Sequence, residues 1–271
     1  MYLNRTHKTT DMLRIFFGPH SLDTFTLQFD QLLEWGDVLA MEYAYANGET
    51  EVGQYWTDVA QGRTIFTESG LPGEEFRDCF LGRLSELSLT KSRVVVIERS
   101  PIKKIDEENL VGLYNESRES WSKVDVSLAV LKLRAHDQQF AEHQKQRDIS
   151  YAQQLKGIVA TYSDKSVLCY RGALHYETLR PLLIKENVKF ESYLFCSPYL
   201  PPFGEEITKM FIDGRHVNDE IMMRRHIEQD LLFNRLKLQA YSYKRALEVR
   251  NEVTAMSRRE IDTYISRLKG N

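Results

Sequence analysis

The sequence predicts an α/β fold, with a mostly parallel central sheet, helices on both faces and a helical C-terminal extension. Three observations carry this expectation. Short apolar runs alternate with helical periodicity along the first 200 residues, the pattern of strand–helix–strand units. The run Arg93 to Glu98 (RVVVIE) is β-branched from Val94 to Ile97, as in a strand buried on both faces. After Pro201-Pro202 the strand-like runs stop and the character becomes helical and charged. The expected division is therefore 1–200 for the α/β core and 201–271 for the helical extension.

Met12 to Phe17 (MLRIFF) is an apolar run ended by Gly18-Pro19, which reads as a buried strand and a loop. Ser21 and Asp23 can cap a following helix whose apolar positions Phe25, Phe29, Leu32 and Leu33 recur at helical spacing, with Gly36 as its stop. Asp37 to Tyr43 forms a second strand. Asn47 to Glu75 is irregular and rich in Gly, Thr and acids, and Phe76 to Leu87 reads as helical. A mostly helical stretch runs from about Asp106 to Val159. Lys165 to Tyr170 (KSVLCY) is a strand, Gly172 opens a loop, Leu179 to Asn187 is a helix, and Val188 to Cys196 is a strand stopped by Ser197-Pro198. From Arg215 to Asn271 there are 12 lysines and arginines against 8 acids, a net of +4, while the rest of the chain carries −7. Ile221, Leu231, Leu232, Leu236, Ala240, Tyr243, Leu247 and Val253 approximate an amphipathic stripe there. Ser257-Arg-Arg-Glu260 fits a capping box that opens a last helix to Leu268. The mixed signs favour helices packed on the core with a solvated face over an RNA or membrane contact, and such helices could also mediate a homodimer.

Composition narrows the function classes. In 271 residues, 42% are hydrophobic and 28% charged, and the formal net charge is −3, so no global attraction to nucleic acid or anionic membrane is expected. No run reaches the length of a membrane span, and the N-terminus lacks the apolar stretch of a secretory signal. Cys79, Cys169 and Cys196 are odd in number and lack metal-ligand spacing, so they read as reduced thiols and the expected compartment is the cytoplasm. No Walker loop, Gly-x-Gly-x-x-Gly, Gly-x-Ser-x-Gly or His-Glu-x-x-His occurs, which argues against a nucleoside triphosphatase, a Rossmann dehydrogenase, an ordinary α/β-hydrolase and a zincin.

The candidate chemistry lies at strand ends, where open α/β sheets bind their ligands. His20 follows the first strand (Phe17-Gly-Pro-His20), Glu42 ends the second (Val38-Leu-Ala-Met-Glu42), and His175 follows a later one (Gly172-Ala-Leu-His175). A turn histidine is often structural, but a carboxylate in an apolar strand is costly to bury unpaired, and a glycine just before a histidine lets backbone approach a ligand. Glu98 holds a similar strand-end position and serves either the cleft or Arg99 and Lys103. His136, His143 and Arg147 share one stripe of a helix, which either brings His143 beside Arg147 in the site or forms a solvated face.

In this order, the motifs resemble those of the TraB/Tiki and erythromycin-esterase superfamily, which also includes the haem-binding protein ChaN. Phe17-Gly18-Pro19-His20 approximates the family's Gly-x-x-His turn, with Gly18 two residues before His20 rather than three. Asp37 to Glu42 gives D-x-x-x-x-E, Arg147-Asp148 with Tyr151-Ala152 gives the Arg-Asp helix, and Gly172-Ala-Leu-His175 meets the second Gly-x-x-His in full. The resemblance covers about residues 12–197.

It implies a hydrolase of ester, amide or peptide-like bonds acting on a small molecule or peptide, with His20, Glu42, Arg147 and His175 as catalytic residues. Asp148, Gly172 and Glu98 would then border the substrate. Two modes stay open. His20, Glu42 and His175 could ligate a divalent metal (Mn, Co, Zn or Fe) with a position left for water. Alternatively, one histidine acts as base, oriented by Glu42, while Arg147 holds a substrate carboxylate or an oxyanion. The altered first motif favours the metal-free or loosely metal-assisted mode. A non-catalytic binder of metal, haem or a small ligand, and an interaction protein working through its tail, are the other readings.

Overall fold

The structure is a computed structural model, and it describes residues 12–18, 37–43, 58–59, 62–67, 82–83, 85, 93–98, 104–194, 200–236 and 243–268. Five strands form one sheet among these residues: β1 (Leu13–Gly18), β2 (Val38–Tyr43), β3 (Arg93–Glu98), β4 (Val167–Gly172) and β5 (Phe190–Leu194). Their order is β3-β2-β4-β1-β5, and every pairing is parallel. The expected sheet is therefore present. The inner strands β1 and β4 lack strict alternation because both of their faces are buried: Ile15 and Cys169 on one face, and Phe16 and Leu168 on the other.

Two long helices separate β3 from β4. These are α1 (Lys104–Ser122) and α2 (Val126–Thr161), the latter 36 residues and about 54 Å long. Asp125 starts α2 by accepting the Leu128 amide on Oδ1 at 3.1 Å. A single 3-10 turn, Ala173–His175, follows β4 and runs directly into α3 (Tyr176–Lys185). Asn187 then ends α3 in the left-handed conformation (φ 57°), with the Val188 amide on the Leu183 carbonyl at 3.0 Å and its own amide on Ile184 at 3.0 Å. The C-terminal part comprises α4 (Phe203–Ile212), α5 (Asp219–Leu236), α6 (Tyr243–Ala255) and α7 (Arg258–Leu268). The capping box at Ser257 forms as expected. Ser257 N donates to Glu260 Oε2 at 2.7 Å, and Glu260 N donates back to Ser257 Oγ at 3.3 Å.

Two hydrophobic clusters result, and α2 runs through both. The first joins one sheet face (Leu13, Ile15, Phe17, Val38, Ala40, Ile97, Val167, Cys169) to Tyr151, Ala152 and Leu155 of α2 and to Leu179 and Leu183 of α3. The second packs Trp121 of α1 and Ala129, Val130 and Leu133 of α2 against Ile207, Met222, Met223, Ile227, Val249, Val253 and Ile261 of the C-terminal helices. The stripe read from the sequence is partly right: Tyr243 and Val253 are buried, but Met222, Met223, Ile227 and Val249 carry much of the packing. No helix among the described residues is long and apolar enough to cross a membrane. The helix expected after Ser21 lies outside the described residues.

Strand order fixes where a cleft can form. The chain leaves β2 towards β3 at one edge of the sheet, and leaves β4 towards β5 at the other. β2 and β4 are neighbours, so the winding reverses between their carboxyl ends. That is the position at which open α/β sheets hold ligands.

Candidate functional site

The carboxyl end of β4 carries an arginine in an otherwise apolar strand. Arg171 is 3% exposed, and a buried guanidinium needs a partner. Because Arg171 pairs in register with Phe17, its side chain lies on the face that α2 covers. There its Nη2 donates to Asp148 Oδ1 at 3.2 Å, and its Cζ stands 4.2 Å from the centre of the Tyr151 ring. Asp148 and Tyr151 are three residues apart on α2, so one helix face supplies both the charge and the aromatic surface.

Asp148 is the hub of the site. His175 Nδ1 stands 2.7 Å from its Oδ1, and the Thr178 hydroxyl donates to its Oδ2 at 2.5 Å. Its three partners come from β4, from the 3-10 turn and from the first turn of α3, which ties the loop after β4 onto α2. The glycine at the turn's start, Gly172, is buried and lies opposite Gly18 of β1. Tyr176, next to His175, sets its ring edge-on to Phe17, with 5.3 Å between centroids. Arg147 is half-buried beside Asp148, and its Nη1 donates to Gln144 Oε1 at 3.0 Å.

Burial dominates the electrostatics. It pushes the Asp148 carboxyl up to about 7, against the downward pull of the Thr178 hydroxyl and the Arg147 guanidinium. Burial also lowers Arg171 to about 9, and it lowers Arg147 against the opposing pull of Asp148. Behind the site the Tyr151 hydroxyl meets Cys169 Sγ at 2.9 Å, and burial lifts that thiol to about 12, so it is not a thiolate nucleophile.

Of the residues picked from the sequence, the structure brings together Arg147, Asp148, Gly172 and His175. Asp148 holds His175 from inside the fold. Glu42 has its backbone in β2, opposite Ile97 and one residue beyond Met41, which pairs with Tyr170 of β4. Glu98 ends β3 opposite Tyr43, one strand further from β4. The side chains of Glu42 and Glu98, and the whole of His20, lie outside the described residues. His143 is half-buried on α2, and His136 belongs to a separate cluster near α5. Arg171 and Thr178 were not picked out. A charge inside KSVLCYRG was the available signal for Arg171, whereas nothing in the sequence marks Thr178.

With the Asp148 carboxylate 2.7 Å from Nδ1, Nε2 is the ring atom through which His175 would take a proton or bind a cation. His175 therefore fits a metal-ligand role through Nε2, and the other two expected donors are His20 and Glu42. No group of three potential ligands occurs among the described residues. Comparisons of the chain with protein-family models, with curated proteins and with solved structures give no match.

Proposed function

We propose that the chain is a hydrolase of ester, amide or peptide-like bonds, with a small molecule or peptide as substrate and the cytoplasm as its compartment. The observation that carries this reading is the Asp148–His175 pair at the carboxyl end of β4, beside the reversal of winding. In it, Asp148 orients His175 and stabilises the imidazolium, and Nε2 takes a proton from the attacking water. Arg147, at the edge of the pair, holds a substrate carboxylate or the developing oxyanion. Glu42, from β2, and His20, which follows β1 in sequence, are the further residues this reading assigns to the site. In the alternative, metal-assisted mode Nε2 of His175 would not act as base but would hold a divalent cation with His20 and Glu42, and that cation would supply the activated water.

The test compares wild type with Asp148→Asn and His175→Ala on a panel of esters and short peptides, with metal content measured in parallel. Asn keeps the shape of Asp148 but not its charge, so kcat is expected to fall by about 10³-fold or more, measured below the variant's lowered melting temperature with circular dichroism to confirm the folded state. Metal lost in His175→Ala would select the metal-assisted mode. Full activity in both variants would overturn the assignment.

A further inference from the structure

Helix α2 carries a second carboxylate–imidazole pair three turns before the first. Asp137 is fully buried, and His136 Nδ1 bonds its Oδ1 at 2.7 Å. Arg225, reaching across from α5, pairs with the other oxygen, Oδ2. The arrangement repeats that around Asp148: a buried aspartate on α2, an arginine from another element and a histidine held at Nδ1.

The His136 ring is placed differently from a purely structural histidine. A carboxylate only accepts, so Nδ1 carries the hydrogen and Nε2 keeps its lone pair. Nε2 has no partner among the described residues and is not among the buried polar atoms, and the side chain is 15% exposed. His226 makes the contrast. It is fully buried, stacked on Trp121 at 4.4 Å, with Nε2 on the Ser117 hydroxyl at 3.1 Å. Around His136 stand Tyr114 of α1, with ring centroids 5.5 Å apart, and Phe140 of α2, stacked at 6.0 Å. The charged groups facing it are Asp137 on its own helix and Arg225 on α5.

We propose that His136 is a second reactive imidazole, which takes acyl compounds at Nε2 and favours those with an aromatic or apolar flank. The Nε2 lone pair adds to the carbonyl carbon, and the bond to the leaving oxygen breaks. That oxygen departs with the electron pair and is protonated by solvent, while the Nδ1 proton stays in its bond to Asp137. Water then adds to the acyl carbon and releases a proton to solvent, the C–N bond breaks, and its electron pair returns to Nε2. The net reaction is acyl compound plus water giving acid plus alcohol. Burial and the Arg225 guanidinium hold His136 down at about 4, so the ring stays neutral well into mild acid.

The test is pulse labelling of the full chain with diethyl pyrocarbonate from pH 5 to pH 8, with each histidine quantified by peptide mass spectrometry. An ordinary imidazole loses about 30-fold in reactivity by pH 5. His136 is expected to label at a rate nearly flat from pH 8 to pH 5. A His136 rate that falls about 30-fold from pH 8 to pH 5 overturns the proposal. The second readout is p-nitrophenyl ester turnover in His175→Ala, which removes the first pair. Residual turnover there is expected to fall when His136→Gln is added, and unchanged turnover also overturns it.

Discussion

Asp148 shows how one buried carboxylate both holds the fold together and prepares the chemistry. Its oxygens are shared among Arg171, His175 and Thr178, so removing any partner leaves charge buried with less compensation. Arg171 is the most exposing case, because at 3% and 1% exposure neither side of that pair is screened by water. Arg171→Met keeps the length and apolar packing over Tyr151 but removes the guanidinium. It is expected to destabilise the protein by about 3–5 kcal/mol, and the double variant Arg171→Met/Asp148→Asn to recover part of that loss. Denaturant melts of the four proteins in the cycle measure the coupling. Purely additive losses would mean that the two side chains do not sense each other. The sequence makes Asp148 and His175 visible through their motifs, but their connection is a matter of tertiary distance, because they lie 27 positions apart. Arg171 could have been inferred from the cost of burying a charge, the same argument that singled out Glu42.

Among the elements, the best-read boundaries are those set by local chemistry. Arg93–Glu98 is a strand over the whole predicted range, and α7 starts where Ser257 and Glu260 cap it. Helix α3 starts at Tyr176, three residues before Leu179, where the sequence predicts its start. Gly172-Ala-Leu-His175 looked like a loop, yet the 3-10 turn it forms needs only local bonds and delivers His175 onto Asp148. The turn joining α1 to α2 was also illegible, because it uses a residue that statistics would not place there. Val124 adopts a left-handed φ of 59°, where its branched Cβ crowds the backbone. The turn is kept by the bonds around it: the Val124 amide on the Trp121 carbonyl at 3.0 Å, and Asp125 on Ser120 at 2.9 Å. Replacing Val124 by Asn, which tolerates this conformation, is expected to stabilise the protein by about 1 kcal/mol, seen as a higher Tm. A lower Tm would show that the half-buried valine side chain matters more than the backbone.

At the scale of the whole molecule, buried ionisable groups of opposite kinds set the response to pH. Burial raises Glu228, whose Oε2 accepts the first amide of α4 from Phe203 at 2.9 Å, to about 7, and it raises Asp148 to about 7. A carboxyl whose folded pKa is raised adds stability that is complete below its unfolded value and is lost as pH rises through the folded one. Burial acts the other way on the imidazoles, holding His136 at about 4 and His226 at about 3. Their stability is complete above 6.5 and is lost as pH falls towards those values. Between about pH 4.5 and 6.5, two groups therefore gain what two others lose, and these four together contribute a nearly flat profile. Glu228→Gln keeps an acceptor for the Phe203 amide and removes one of the four titrations. The stability of the variant relative to wild type is then expected to rise with pH, by about 1.4 kcal/mol per unit from pH 4.5 to 7, and by about 3 kcal/mol in all. Urea melts of both proteins at half-unit intervals measure the difference. A difference that stays level with pH would mean that Glu228 is ionised throughout, held as a carboxylate by Arg250 and the α4 amide. The helical unit would then be clamped by charge at every pH rather than by a neutral acid in mild acid.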